Sequence, residues 1–554
     1  MHIIENKSPY KSGKKIYSSI LLRESYREGG KVKKRTIANL SKCTPAEIAA
    51  IKLALKHKDD LSVLGSLSES VELEEGLSVG AVWMVYQVAK KLGIEKSLGT
   101  DFSGKLALWQ VIARVIEQGS RLSAVRLAKV HAACDVLDIR RGFDENDLYD
   151  NLSWLANNQE RIEDKLFLSR QGKDKPRLFL YDVTSSYLEG EKNYFGEYGY
   201  SRDKKQGKKQ IVIGLLCDEY GEPVSTEVFS GNTQDTQTFC SQVKKVAERF
   251  GCEDVTFVGD RGMIKSAQIK ELPKGFHYIT AITKAQIESL LKKDIIQFSL
   301  FNEKVCEIED EGVRYIIRRN PYRAEEIANT RLSKLQSVEK IINKKNAYLE
   351  GHQRAKVSKA IKDVEKKIIS LKIDNWVRIK EKDRRLVLER DDDRLKEEAL
   401  LDGCYVIKTD ISNELADKQT IHARYKDLAL VEKAFRDCKT VSLEVRPVYV
   451  RTKDSTCGHV LVVMLAYKII RKLREAWLKF DLTVEEGIKR LATLCSIEVK
   501  CKDNTSCLKI PRPRIESGEL LKALNIKMPI VLPHRDIKVD TKKKLLNQRK
   551  HLEK

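Results

Sequence analysis

Asp182, Asp260 and Glu432 are the residues of this chain whose types and settings are best suited to chemistry. Asp182 follows the apolar run Leu178-Phe-Leu-Tyr, and Asp260 follows Val255-Thr-Phe-Val-Gly. Glu432 stands in the basic amphipathic segment Tyr425-Lys-Asp-Leu-Ala-Leu-Val-Glu-Lys-Ala-Phe-Arg-Asp-Cys-Lys439. An aspartate that closes a buried strand projects at the carboxyl edge of an α/β sheet, where such sheets bind ligands. Two neighbouring strands ending in this way, with a glutamate from a helix crossing the same edge, give an all-oxygen site of the kind Mg²⁺ prefers. Two divalent ions held there would activate a water and stabilise the leaving oxygen of a phosphodiester. Singly, each residue has a plainer reading: a strand-end Asp ordinarily caps a turn or helix, and a helical Glu ordinarily faces solvent.

The charge of the chain names the phosphodiester. Across 554 residues, Lys and Arg outnumber Asp and Glu by 103 to 80, a formal net charge of +23. The surplus is spread along the whole chain, which suits an extended nucleic-acid track better than a membrane patch. Charge alone fits a simple binder as well as an enzyme. A hydrophobic content of 42% allows sizeable cores, and the length calls for three or more domains. The N-terminus shows no basic leader followed by an apolar core, and the apolar stretch Gly458 to Ile470 is shorter than a membrane span. A cytoplasmic protein is expected. The 12 cysteines form no CxxC; Cys495, Cys501 and Cys507 lack partners at ligand spacing, so reduced thiols are expected rather than zinc.

The elements that must position the acids follow from periodicity. Ile16 to Arg27 and Val32 to Leu40 read as strands joined by Glu28-Gly-Gly-Lys31, and a helix begins at Thr44-Pro45. Residues 80 to 170 read as helices throughout. Strands are predicted at Arg177 to Asp182, Gln210 to Cys217, Pro223 to Phe229, Val255 to Asp260 and Phe276 to Ile282. Helices lie over Thr236 to Phe250 and from about Ile264. Together these predict a mixed α/β sheet. Residues 284 to about 400 interrupt it, with strand-like Ile296 to Phe301 and Val313 to Arg318 and charged helices from Ala324 to Lys372. The α/β pattern resumes at Gly403 to Thr409, followed by the Glu432 helix and a core helix over Val460 to Ile470. A basic, irregular tail starts near 500 and includes Lys542 to Lys550. The basic arm Lys31 to Arg35 and the Arg121, Arg126, Lys129 face read either as DNA contacts or as solvated surface.

Four motifs in order carry a family resemblance: Asp182-Val-Thr-Ser-Ser, Gly231-Asn-Thr-Gln-Asp235, Gly259-Asp260-Arg-Gly262 and the Tyr425 to Lys439 segment. They resemble the DDE insertion-sequence transposases of the IS-four superfamily, closest to its sixteen-thirty-four branch. Tyr425, Glu432 and Lys439 match the spacing of that family's signature, while Leu428 stands where its arginine usually is; Arg424 or Arg436 could compensate. The resemblance implies an α/β multidomain protein with an RNase H-like catalytic core, interrupted by an insertion domain and preceded by a DNA-binding and helical region. The implied division is a basic hairpin module at 1–75 and a helical domain at 76–172 for DNA ends or dimerisation. Core parts follow at 173–283 and 401–480, with the insertion at 284–400 between them and a basic region at 481–554. Asp182, Asp260 and Glu432 would bind two Mg²⁺, with Mn²⁺ able to substitute.

By the same carry-over, Tyr425 and Lys439 would hold the transposon-end backbone, and Arg261 and Arg436 are further phosphate contacts. Trp376, the one tryptophan of the expected insertion, is the candidate to stack on a flipped base, although a Trp beside Val and Ile is more often core. The implied partners are double-stranded DNA, both inverted-repeat ends and target, and a second copy of the chain, in the bacterial cytoplasm at the nucleoid, with no membrane. The implied reaction is cut-and-paste transposition through a hairpin. The alternatives are a catalytically silent DNA-binding descendant and an RNase H-like nuclease without strand transfer.

Overall fold

The computed structural model describes residues 1–9, 16–56, 58, 71–169, 176–441, 443, 445–446, 448–501, 506–533, 535 and 537–542. Strands β1 (His2–Pro9), β2 (Ile16–Glu28) and β3 (Lys31–Asn39) form an antiparallel sheet in that order. The hairpin between β2 and β3 turns on Gly29 and Gly30, both at positive φ (58° and 78°), a backbone state open to glycine without strain. The strand β1 lay outside the sequence expectation. A helix, Pro45–Lys56, follows with Thr44 and Glu47 as a reciprocal cap: Thr44 N donates to Glu47 Oε2 (2.6 Å) and Glu47 N to Thr44 Oγ1 (3.3 Å).

After β4 (Val71–Ser78), helices run from Gly80 to Ser169. Their apolar faces bury Trp109, Leu152 and Ile162 completely. The central sheet then begins with β5 (Leu178–Tyr187), β6 (Gln210–Asp218), β7 (Pro223–Ser230), β8 (Val255–Gly259) and β9 (Phe276–Ala281). It takes in β10 (Cys306–Asp310) and β11 (Val313–Arg319), leaves β12 (Val377–Lys382) and β13 (Arg385–Arg390) as a separate hairpin, and closes with β14 (Cys404–Thr409). The spatial order is β10-β11-β14-β9-β8-β5-β6-β7. β5 is parallel to β8 and β8 to β9; β6, β7, β14, β11 and β10 pair antiparallel.

The alternation of β5 shows how the layers form. Phe179, Tyr181 and Val183 enter one core with Phe239 and Val243 of the helix Asp235–Lys244, while Leu180 enters the other. That second core is dominated by the helix Lys453–Ala476, which packs on β7 and on the helices Phe102–Ile116 and Glu145–Asn157. No described helix is long and apolar enough to cross a membrane.

Three expectations are corrected. Ile296 to Phe301 is not a strand: Phe298–Asn302 is a single 3₁₀ turn, and Ile296 and Phe301 are buried while Gln297 and Phe298 are exposed, which is not the alternation a strand needs. The segment 284–400 is not wholly set apart, because β10 and β11 belong to the main sheet. Its helices Pro321–Gly351 and Val357–Leu371 and the β12-β13 hairpin share a core of their own. The tail from about 500 is not simply irregular: β15 (Cys495–Cys501), which pairs with β4, runs into it and pairs with β16 (Ser506–Lys509), and a helix spans Ile515–Ala523. The basic run from Lys542 to Lys550 lies, beyond Lys542, outside the described residues.

Candidate active site

Tyr181 pairs with Gly259 across the parallel β5-β8 ladder, so the next residue on each, Asp182 and Asp260, leave this register side by side. Asp182 does not end its strand. β5 continues to Tyr187 against β6, where Asp182 pairs with Leu215, and it is β8 that stops at Gly259. The carboxyl edge at which Asp182 opens is therefore made by its neighbour's end. Period two puts Asp182 on the same face as Leu180, and Asp260 on the same face as Val258. The helix Leu428–Arg436 packs on that face of β5 through Leu428, Val431, Ala434 and Phe435. Those residues fall at helical spacing, which leaves Glu432 exposed on the flank.

The three acids share one cleft of about 620 Å³, together with Arg261, Tyr425, Lys426 and Leu428. Asp182 is half-buried and accepts from Val183 N (2.8 Å); exposed Asp260 accepts from Arg261 N (2.7 Å). Burial pushes the Asp182 carboxyl up to about 7, against the Val183 N–H and the Arg202 guanidinium, with the Asp260 and Glu432 charges raising it further. Three carboxylates lining one cleft, with the Asp182 pKa raised by the other two, are an arrangement that a hard cation would relieve. Among the described residues no three His, Cys, Asp or Glu side chains stand close enough to enclose one ion. The donor chemistry fits a divalent metal, and the geometry is an open cleft rather than a closed cage.

Against this geometry, a model of the transposase DDE domain matches residues 173–469, and a model of the IS1634 family transposase N-terminal domain matches residues 4–63. The chain belongs to the DDE transposases, in their IS1634 branch. No curated protein matches it. Among solved structures it is similar to a piggyBac transposase synaptic complex with hairpin DNA, at 10% identity and a TM-score of 0.34, over 70% of this chain and 69% of that one. That likeness is too slight to support an argument about the site. The family makes this a nucleic-acid-cleaving transposase, and DDE domains generally use divalent metal ions.

The structure separates the transposase's other expected DNA-contacting residues. Tyr425 and Arg261 line the cleft. Burial raises the Tyr425 phenol above its ordinary range, so it stays protonated. Arg436 is exposed on the Glu432 helix. Lys439 is buried, and its Nζ donates to Asp203 Oδ1 at 2.8 Å; Arg446 pairs with the same oxygen. Its ammonium is thus committed inside the protein, and burial pulls its pKa down. Trp376 is 2% exposed, packed with Val338, Val364 and Leu386, so no ring face is open to a base. Leu428 is buried beneath the cleft, so the position of the family's arginine is part of the core here.

Sequence reading missed Arg202 and Asp203. Arg202 donates both Asp235 contacts from Nη2 (2.7 Å to each oxygen), and its backbone N–H donates to Ser185 Oγ (2.8 Å). The signal was present as Ser201-Arg-Asp-Lys-Lys205, but nothing local distinguishes such a run from a solvated turn. The Gly231 to Asp235 motif meets it: a Cβ at Gly231 would lie 2.0 Å from Gln210 O and 2.5 Å from Glu197 O. Both are backbone atoms that cannot step aside. Gly231→Ala is expected to destabilise the transposase by about 1–3 kcal/mol through overpacking, measured by denaturant unfolding, with an unchanged midpoint counting against this contact.

Proposed function

We propose that this transposase cleaves DNA at the inverted-repeat ends of its own element and joins the freed ends to target DNA, with Asp182, Asp260 and Glu432 as catalytic acids and metal ligands. The observation that carries the reading is the meeting of these acids, from two adjacent parallel strands and a packed helix, in one cleft. The strand order β7-β6-β5-β8-β9, with β5, β8 and β9 parallel and β6 reversed, supports an RNase H-like core. In that reading 173–283 and 401–480 form the core, 284–400 carries the insertion, and 481–554 is a basic C-terminal region. The modules 1–75 and 76–172 engage DNA ends or a second copy, and the working form is a dimer on double-stranded DNA in the bacterial cytoplasm, at the nucleoid.

When bound, a pair of Mg²⁺ ions (or Mn²⁺) supplies an activated attacking oxygen and stabilises the departing one. Asp182 and Asp260 hold the floor of the site on the sheet, and Glu432 closes it from the helix. Arg261, Tyr425 and Arg436 position the strand through its phosphates, without reading sequence. A first cut frees the 3′-hydroxyl of the element. That oxygen then bonds to the opposite strand's phosphorus as the bond from this phosphorus to the flanking strand's 3′-oxygen breaks, leaving a hairpin. Water then attacks the same phosphorus, expelling the element's 3′-oxygen as the free hydroxyl that attacks a target phosphodiester and displaces a target 3′-oxygen. Incubating the transposase and Mg²⁺ with an end-labelled duplex of the element's terminal repeat should yield nicked, hairpin and joined products in sequence. Specific binding without cutting would instead mark a silent DNA-binding descendant, and nicking without hairpin or joined product a nuclease.

A further inference from the structure

The loop 188–209 connects the strand bearing Asp182 to β6. It carries three tyrosines within seven residues, Tyr194, Tyr198 and Tyr200, among lysines. These residues are 67%, 60% and 82% exposed, whereas Phe195, in the same stretch, is buried. The backbone beneath them is fixed at both flanks. Tyr194 N donates to Arg451 O (2.9 Å), Glu197 and Gln210 exchange two backbone hydrogen bonds (3.1 and 3.0 Å), and Gln210 Nε2 donates to Tyr200 O (3.1 Å). Gly199 lies so close to Gly231 O that an added Cβ would stand 2.1 Å away. Apolar ring faces thus stand in water on a rigid support, so little conformational entropy remains to be lost when a partner covers them.

Cations accompany the rings. Lys209 Nζ lies 5.8 Å from the Tyr198 ring centre and the Arg202 guanidinium carbon 6.0 Å from that of Tyr200. Tyr200 and Arg202 border a second cleft, of about 350 Å³, with Asn232, Gln234, Gly262 and Lys265. Gly262 ends the motif that holds Asp260, and the Arg202 guanidinium acts on the Asp182 carboxyl, so this cleft lies near those two acids. Exposed aromatic rings beside positive charge suit the π-faces and phosphates of unpaired nucleotides, whose bases are free to stack. Duplex DNA keeps those faces covered.

We propose that this loop is a stacking platform for unpaired DNA bases next to the cleavage site, with Tyr194, Tyr198 and Tyr200 as its rings. The inference rests on the DNA-cleaving reading above and assigns the stacking role to this loop in place of Trp376. It is tested with full-length protein and an oligodeoxythymidylate of about 12 nucleotides, against a duplex of equal length, by fluorescence anisotropy. Changing all three tyrosines to Ala should weaken single-strand binding about tenfold or more, with duplex binding within about twofold and the melting temperature unchanged. Changing all three to Phe should keep wild-type affinity, because stacking needs the ring and not the hydroxyl. Equal single-strand affinity in wild type and the Ala triple, an equal loss on both DNAs, or a Phe triple as weak as the Ala triple would each overturn it. If the wild type cuts the terminal repeat yet the Ala triple binds single strands normally, this inference alone fails. A wild type that neither binds nor cuts DNA removes both readings.

Discussion

Glu432→Ala should lower the rate of terminal-repeat cleavage at least about a thousandfold, the scale seen when a group acting at the reacting atoms is removed. DNA binding should stay within about twofold, because Glu432 carries no positive charge for phosphates. The cause is the loss of one wall of the acid cleft: Asp182 and Asp260 stay on the sheet, but nothing anionic remains on the helix side. Stability is expected to change by no more than about 0.5 kcal/mol, since the side chain is solvent-exposed while Val431 and Phe435 anchor the helix. Glu432→Gln should behave alike, because it preserves shape and removes the charge. The measurement is cleavage at saturating protein with binding followed in parallel; wild-type cleavage by either variant would remove Glu432 from the site.

Asp203→Ala should destabilise the protein by about 3–5 kcal/mol, the range for taking one partner from a buried ion pair. The Asp203 side chain is 2% exposed and meets Lys439, which is 10% exposed, and Arg446. Its second oxygen accepts from Tyr187 N at 3.2 Å. Removal leaves two cations facing each other beneath the turn that follows the Glu432 helix, so the loss should concentrate there. Hydrogen exchange of the backbone between Asp437 and Val448, together with denaturant unfolding, would read both effects. Lys439→Met should cost less, because Arg446 still satisfies the carboxylate. Were Lys439 instead a solvent-facing phosphate ligand, Asp203→Ala would leave stability unchanged and only DNA affinity would move.

Much of this was legible before folding. The apolar runs ending in Asp182 and Asp260 announced strands, Thr44 with Glu47 announced a helix start, and glycines 29 and 30 announced a hairpin; all are formed. These signals are local, since caps, turns and period-two alternation act within a few residues. The transposase motifs were legible for the same reason, as each lies within one short segment. Ile296 to Phe301 shows the limit: a short apolar run reads as a strand until its neighbours decide otherwise.

Residue type and order alone determined that this protein is a DDE transposase and which acids to watch. Only the tertiary structure decided what each side chain faces. Lys439 and Trp376 look, in sequence, like residues free for DNA, yet one is neutralised by Asp203 and the other is walled in by Val338, Val364 and Leu386. Tyr194, Tyr198 and Tyr200 look like loop filler, yet a backbone pinned to β6 and to Arg451 holds them in solvent, with Tyr200 on a cleft that reaches Gly262. The pairing of β4 with β15, from distant parts of the chain, was equally invisible. Burial and ion pairing depend on partners far away in sequence, and a linear reading records which charges exist but not which are already satisfied.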